Sequence, residues 1–251
     1  MRLPHKTLER KLFANGYSLI FAVDEVGMGC LAGPVVVCAV GIKKDFYDKT
    51  HKNLRNLRES KLLSAAQREK FAEELVREHG LVYALASCSP KIIDRINIYH
   101  ASRLAMKRAT QKLVSSLRIT HYELRNQSVI RNTKLSNKVI VLIDGKTKIN
   151  GLNMEQMPIV KGDRKVFAIA CASVIAKVHR DKMMTRYAKK YPGYGFEKHK
   201  GYGTKLHREK LATFGVSDIH RCSFAPVKVL IQNAKIKNQN DKSKFKNPQI
   251  G

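Results

Sequence analysis

Two kinds of hydrophobic pattern alternate along the chain. Short apolar runs bounded by glycine, proline or charged residues predict buried strands, and they lie at 19–23, 35–40, 81–87 and 139–143. Segments with apolar residues at three- and four-residue spacing predict helices, and they lie at 8–16, 64–78, 97–117, 168–190 and 207–214. Because strands and helices interleave in similar number, the pattern predicts an α/β fold with a mixed sheet layered with helices.

Residues at the predicted boundaries agree with these elements. Thr7 is placed to cap the first helix, and Ser64 with Gln67 three residues later is the signature of a capping box. The strand 35–40 is rich in β-branched residues, and it is expected to pair with the strand 19–23. The glycine-rich stretch 191–204 is predicted to form a structured loop.

The length and apolar content allow one large domain or two small ones. The chain has 251 residues, of which 43% are hydrophobic and 27% charged. No apolar run approaches the roughly 18 to 20 residues that a membrane span needs, so a soluble protein is expected. The segment 115–138 is polar and basic, and the stretch 231–251 is predicted to be a basic, disordered tail.

Basic residues greatly outnumber acidic ones. Forty-eight Lys and Arg against 20 Asp and Glu leave a formal net charge of +28, which is typical of a protein that binds a polyanion. A generally basic proteome would give the same balance, and both explanations can hold. The five cysteines are odd in number and form no C-x-x-C pair, so they are interpreted as reduced residues of a cytoplasmic protein. No signal peptide is visible.

Four carboxylates stand at the ends of predicted strands or just before a buried helix. Asp24 and Glu25 follow one apolar run, Asp144 ends another, and Asp163 precedes the alanine-rich helix. Carboxylates that converge at one edge of a sheet repel one another unless a divalent cation neutralises them, and oxygen ligands favour Mg or Mn. The alternative, that each acid caps a helix or pairs with a basic side chain, is reasonable for one residue but not for all four together.

The glycines after these acids allow a change of direction. Consecutive strand residues point to opposite faces, so the strand is expected to end or bulge at Asp24 and Glu25, with Gly27 and Gly29 permitting the turn. Their exposed amides could approach a phosphate or a sugar closely. The segment 27–32 also fits a loose dinucleotide-binding pattern, but that motif needs a helix to follow, and a β-branched run follows here.

Other chemistry is less well supported by the residues. His199, His207 and His220 lack zinc-site spacing, and surface or nucleic-acid-facing roles are predicted for them. The stretch 191–205 interleaves aromatic residues with lysines, a composition that suits nucleic acid because rings stack on bases and cations bind phosphates. Tyr191 and Phe196 are expected to pack inward.

Eight blocks of sequence together resemble the ribonuclease HII family, in that family's order and over roughly 17–228: AVDEVGMGCLAGPVV, ESKLLS, INIYHASRLAMKRA, VLIDG, IVKGD, ASVIAKVHRD, YPGYGFEKHKGYGTKLH and IHRCSFAPVK. The resemblance implies a ribonuclease H-like fold, in which helices flank a mixed central sheet and a helical extension follows at the C-terminus. It also implies a catalytic domain over 1–230. The expected protein is a cytoplasmic monomer that binds nucleic acid and not a membrane.

The resemblance implies a site of two divalent cations, Mg or Mn, at four carboxylates that match the family's motifs: Asp24, Glu25, Asp144 and Asp163. It further implies that main-chain groups of Gly27, Met28 and Gly29 read the 2′-hydroxyl of the substrate. Lys61 matches a phosphate-binding lysine. Tyr202 matches a tyrosine that stacks on a sugar beside the cleavage junction.

The implied activity is hydrolysis of RNA in RNA/DNA hybrids and incision 5′ to single ribonucleotides in duplex DNA, as in ribonucleotide excision repair, leaving 5′-phosphate and 3′-hydroxyl ends. Two departures from the family bear on it. Met28 replaces the usual arginine, and Glu59 stands where the family generally has Asp. An enzyme that cleaves hybrids without selecting single ribonucleotides is therefore an alternative. A basic RNA-binding protein without catalytic activity is another.

Overall fold

The central element is a five-stranded mixed sheet. In spatial order its strands are β3 (Leu81–Cys88), β2 (Val35–Lys43), β1 (Tyr17–Val26), β4 (Lys138–Asp144) and β5 (Glu155–Ile159). A computed structural model describes residues 3–49, 51–117 and 138–244. β1 pairs antiparallel with β2 and parallel with β4, while β3 and β5 form the two edges. The four predicted strands are confirmed. The hydrophobic pattern did not indicate β5, because this edge strand is only half-buried and contains Pro158.

Nine helices are assigned within the described ranges: α1 (Thr7–Ala14), α2 (Lys44–Asp48), α3 (Ala65–Arg77), α4 (Pro90–Ser116), α5 (Gly162–Lys165), α6 (Phe167–Lys190), α7 (Phe196–His199), α8 (Lys205–Phe214) and α9 (Ala225–Lys244). Single 3₁₀ turns lie at Lys52–Leu54 and Ser60–Leu62. The capping box of Ser64 and Gln67 is present at the start of α3. Thr7 is the first helical residue of α1 and not its cap. α4 begins earlier than predicted, at Pro90, and is interrupted at Asn97, where φ is +62°.

Two helices cover the two faces of the sheet. α6 packs its alanine-rich first half on one face, against alternate residues of β1 and β4 such as Ala22 and Leu142. α4 covers the other face, where Phe21 and Val141 are fully buried. The α/β fold predicted from the pattern is therefore confirmed. α6 is the element that carries side chains to the end of β1.

The C-terminal helix corrects the prediction of a disordered tail. α9 continues to Lys244, so the prediction is wrong for 231–244. The helix is anchored through Val227, which is buried beside Leu31 and Leu211, and extending an anchored helix costs less than nucleating one. The tail residues 245–251, and 118–137 of the polar segment 115–138, lie outside the described residues. None of the described helices is long and apolar enough to cross a membrane.

Candidate active site

The four predicted carboxylates line one cleft at the carboxyl ends of β1 and β4. The parallel register pairs Val23 with Ile143, so the next positions, Asp24 and Asp144, lie side by side. Gly162 N–H donates a 2.6 Å hydrogen bond to Asp144 Oδ1, which places Asp163 at the same edge. The carboxylate cleft has a volume of about 280 Å³ and is lined by Asp24, Glu25, Val26, Gly27, Met28, Gly29, Ser60, Lys61, Asp144, Asp163, Ser173, Lys177 and Tyr202.

The end of β4 brings two consecutive residues of β1 to one site. Contrary to the prediction, β1 neither ends nor bulges at Asp24, because it stays paired with β2 as far as Val26. Instead, β4 stops at Asp144. Beside Glu25, on the β4 side of β1, no strand therefore separates one face of the sheet from the other. Glu25 N–H donates a 2.8 Å hydrogen bond to Asp24 Oδ1. The end of β4, and not a bulge in β1, therefore allows Asp24 and Glu25 to reach the same cleft.

The cleft opposes the ionisation of its own carboxylates. Burial, followed by the charges of Glu25 and Asp144, raises the pKa of Asp24 well above its ordinary value, although a hydrogen bond from Ser173 lowers it. Burial and then the charge of Asp144 raise the pKa of Glu25 to about 7. The same two causes raise the pKa of Asp163. Each shift arises because negative charge is concentrated where water cannot screen it.

This arrangement suits divalent cations held by oxygen. Glu25 Oε2 is buried and, within the described part of the chain, has no hydrogen-bond partner. A buried carboxylate oxygen without a partner is costly, and a hard cation satisfies it. No three acidic, histidine or cysteine side chains among the described residues already converge on one point, so the carboxylates would close on a cation through side-chain rotation.

Basic side chains surround the carboxylates at different depths. Lys61 stands at the rim with 75% of its side chain exposed, and its Nζ lies 4.0 Å from Glu59 Oε1. Glu59 is almost fully buried and makes a 2.6 Å ion pair with Arg164. It therefore anchors the loop that carries Lys61. Lys177 also lines the cleft, paired with Asp181 at 2.6 Å. Lys177 was not predicted as a site residue, although Ser173 and Lys177 stand at i,i+4 spacing on one predicted helix.

The three residues Gly27–Gly29, called here the glycine loop, form one wall of the cleft. Gly27 is buried with φ of +95°, a backbone conformation that favours glycine. The Met28 side chain is partly buried and packs against the apolar cluster that includes Val23 and Ile93. Tyr202 faces the loop through a bridge with Cys30, and Lys177 Nζ lies 5.7 Å from the centre of its ring. The structure thus brings together all nine of the predicted site residues.

The three histidines predicted to lie at the surface are buried. His207 Nε2 lies 3.1 Å from His220 Nε2, and the His207 and His199 rings stack at 4.2 Å. His207 Nδ1 lies 2.9 Å from the carbonyl oxygen of Tyr202. The prediction failed because Phe196, also fully buried, forms an apolar centre that these rings surround. The histidines support the segment that carries Tyr202 from below.

We expect these histidines to make the fold sensitive to acid. Burial lowers the pKa of both His207 and His220 to about 4, so between pH 6.5 and 4 the unfolded chain binds protons that the folded chain does not, and stability falls as the pH falls. The pKa displacement corresponds to at most about 3 kcal/mol per group, and solvent screening reduces that figure.

The measurement is the free energy of unfolding of the wild type and of His220→Gln from pH 7 to pH 4. Because the carboxylates titrate in both proteins, their difference isolates the histidine. The stability advantage of the wild type should shrink as the pH falls. A difference that does not change with pH would show that folding does not lower the pKa of His220.

The family model described as Ribonuclease HII matches residues 21–227. A ribonuclease HII of Endomicrobium trichonymphae is 41% identical over 230 residues, which cover 92% of this chain and 96% of that protein. A ribonuclease HII of Caldicellulosiruptor bescii is 43% identical over 217 residues, covering 86% and 91%.

Solved structures share the fold. The crystal structure of ribonuclease H2 from Pyrococcus horikoshii matches with a TM-score of 0.62 at 20% identity, covering 86% of this chain and 99% of the other. Bst-RNase HIII in complex with Mn²⁺ matches with a TM-score of 0.63 at 17% identity, covering 88% and 71%. The ribonuclease H-like fold is confirmed.

Proposed function

The chain belongs to the ribonuclease HII family, and we propose that it incises duplex DNA 5′ to a single embedded ribonucleotide in addition to cleaving RNA/DNA hybrids. The products would carry 5′-phosphate and 3′-hydroxyl ends. Membership of the family makes the protein a ribonuclease H endonuclease of hybrids that depends on divalent metal. The alternative of a basic RNA-binding protein without catalytic activity is therefore wrong.

The observation that carries the proposed mechanism is the clustering of four carboxylates in one cleft, three of them with pKa values raised by burial and by their acidic neighbours. We propose that Asp24, Glu25, Asp144 and Asp163 hold two divalent cations, Mg or Mn. The chemistry that such ions supply is activation of a water and stabilisation of the departing 3′-oxygen. Gly162 N–H and the Ser173 side chain hold carboxylate oxygens of Asp144 and Asp24 in place.

The surrounding residues are proposed to bind the substrate. Lys61 at the rim would contact a phosphate, and the Tyr202 ring would stack on a sugar beside the junction. The glycine loop would read the 2′-hydroxyl through its main chain. Residues 1–230 would form the catalytic domain of a cytoplasmic monomer that acts in ribonucleotide excision repair.

One observation favours the second candidate, a hybrid nuclease without selectivity for single ribonucleotides. The Met28 side chain packs on an apolar cluster and cannot make a charge-assisted contact to a phosphate. Within the glycine loop, contact with the junction would then depend on main-chain groups alone. A substrate with only one ribonucleotide offers few other RNA-specific contacts.

The test is cleavage of a labelled DNA duplex with one ribonucleotide beside a uniform RNA/DNA hybrid, with Mg²⁺, with Mn²⁺ and with EDTA. We expect incision 5′ to the ribonucleotide and cleavage of the hybrid, both requiring metal. Cleavage of the hybrid alone would establish the second candidate. Cleavage that continues in EDTA would contradict the proposed role of the carboxylates.

A further inference from the structure

We propose that Arg221 is a positioning residue that gives the site its selectivity for a 2′-hydroxyl. It would do so by binding the carbonyl oxygens of the glycine loop from behind, which turns two main-chain amides toward the substrate. The inference rests on the proposed function and deepens it. Nothing in the family resemblance or in the comparisons assigns this residue a role.

The guanidinium of Arg221 is fully buried and binds carbonyl oxygens. Nη2 donates to Gly27 O at 2.7 Å, Nη1 to Met28 O at 2.9 Å and Nε to Gly33 O at 3.0 Å. Burial lowers the pKa of Arg221 to about 10, so the group stays charged at neutral pH. No ion pair to Arg221 occurs in the part of the chain that the structure describes. Burying a cation without a counter-ion is costly, and here it serves to fix one stretch of main chain.

The hydrogen bonds of Arg221 determine which way the N–H groups of Met28 and Gly29 point. The described chain has no cis peptide bond, and in a trans peptide the carbonyl oxygen and the following N–H point in opposite directions. Because the carbonyl oxygens of Gly27 and Met28 point at Arg221, the N–H groups of Met28 and Gly29 point away from it. Both residues line the carboxylate cleft. Neither N–H donates to an acceptor among the described residues.

Two adjacent free amides are suited to a hydroxyl or a phosphate oxygen. The 2′-hydroxyl accepts as well as donates hydrogen bonds and is the group that distinguishes RNA from DNA. A hydrogen bond behind the loop to a charged donor polarises the peptide and strengthens the N–H on the opposite side. Met28 supplies no positive charge on the cleft side of the glycine loop, but Arg221 supplies one on the opposite side. Met28 is therefore compatible with selective binding.

Main-chain hydrogen bonds hold Arg221 itself in place. The main-chain N–H of Arg221 donates to Leu31 O at 2.8 Å, and Gly33 N–H donates to Ile219 O at 2.8 Å. The guanidinium carbon lies 5.1 Å from the centre of the Phe224 ring. Main-chain bonds on both sides of the guanidinium therefore tie the C-terminal segment to the loop.

The experiment measures binding preference with Ca²⁺ present, as the dissociation constant of an all-DNA duplex divided by that of the same duplex with one ribonucleotide. The proteins are the wild type, Arg221→Gln and Arg221→Lys. The control is Val227→Ala, which removes buried contacts of the same C-terminal segment without touching the loop carbonyls. Hybrid cleavage with Mg²⁺ is measured for each.

We expect Arg221→Gln to lower the preference about tenfold, equivalent to ~1.4 kcal/mol. Arg221→Lys, which can reach fewer carbonyls, should lie between Gln and the wild type, and it gives the answer if the Gln variant does not fold. Val227→Ala should lose stability and keep the preference. An unchanged preference in folded Arg221 variants, or an equal loss in Val227→Ala, would overturn the inference. A wild type without any preference would instead refute the single-ribonucleotide part of the proposed function.

Discussion

Asp24→Asn is expected to reduce cleavage of an RNA/DNA hybrid by at least about 10³-fold, equivalent to ~4 kcal/mol of transition-state stabilisation. Asp24 is 4% exposed and sits between two acidic neighbours whose charges raise its pKa. Asparagine keeps the shape of the side chain but removes the negative charge that a divalent cation needs. The residual activity, measured as kcat/KM with saturating Mg²⁺, should be indistinguishable from that of the wild type in EDTA.

The same substitution is expected to stabilise the metal-free protein. A carboxyl whose pKa is raised by folding destabilises the folded state once the pH rises above its unfolded value. A neutral asparagine removes that penalty, so the melting temperature in EDTA at pH 8 should rise by about 2–4 °C for each kcal/mol recovered. At pH 4.5 the gain should be much smaller, because that pH lies only a little above the pKa of an aspartate in the unfolded chain, where the penalty begins.

Asp218→Asn is the matched control, since Asp218 is exposed and lies outside the cleft. It should leave both the activity and the melting temperature unchanged. The proposed role of Asp24 would be refuted if Asp24→Asn cleaved the hybrid as well as this control. A loss of activity accompanied by a fall in melting temperature would point to misfolding.

Gly27→Ala is expected to lower hybrid cleavage about 100-fold and to destabilise the fold by about 2 kcal/mol. The positive φ of Gly27 strains any residue with a Cβ atom, and the added methyl group would overlap Arg180 Nε. That Nε donates to Pro34 O at 3.0 Å, so the arginine cannot move without losing a buried hydrogen bond. The loop must shift instead, and its amides leave their positions in the cleft.

Gly29→Ala is the control for the glycine loop. Gly29 is exposed, its φ is not positive, and no atom lies within 4 Å of an added Cβ. Its melting temperature should therefore match that of the wild type, whereas that of Gly27→Ala should fall. The measurements are thermal unfolding and steady-state cleavage of the hybrid for both variants. Equal stability of the two variants would contradict the argument from backbone conformation.

The carboxylates of this site could be predicted because each stands next to a local hydrophobic pattern that identifies a strand or a helix. Asp24 and Asp144 each follow an apolar run long enough to identify a strand, and strands of one parallel pair end at the same edge. Lys61 and Tyr202, by contrast, came from the resemblance to a family, because a lysine or a tyrosine in a loop carries no pattern of its own. The structure places both beside the carboxylates.

The buried polar groups could not be predicted in this way. Arg180 and Arg221 are fully buried, yet in the sequence they look like two more cations among forty-eight. The burial of His207 and His220 was missed because the apolar centre that they surround, at Phe196, forms only in the folded protein. The two arginines bind main-chain groups distant in sequence, such as Ala32 O for Arg180 and Met28 O for Arg221. Such partners exist only after the chain has folded.

The sequence by itself determined four of the five described strands, five of the nine described helices and the carboxylate set, because periodicity and strand ends depend on near neighbours. Only the tertiary structure decided how Glu25 reaches the site of Asp24, since that depends on β4 ending beside β1, a strand far away in the chain. It also decided which way the amides of Met28 and Gly29 face. A peptide plane has no preferred direction in the sequence, and here it is set by Arg221, 194 residues beyond Gly27.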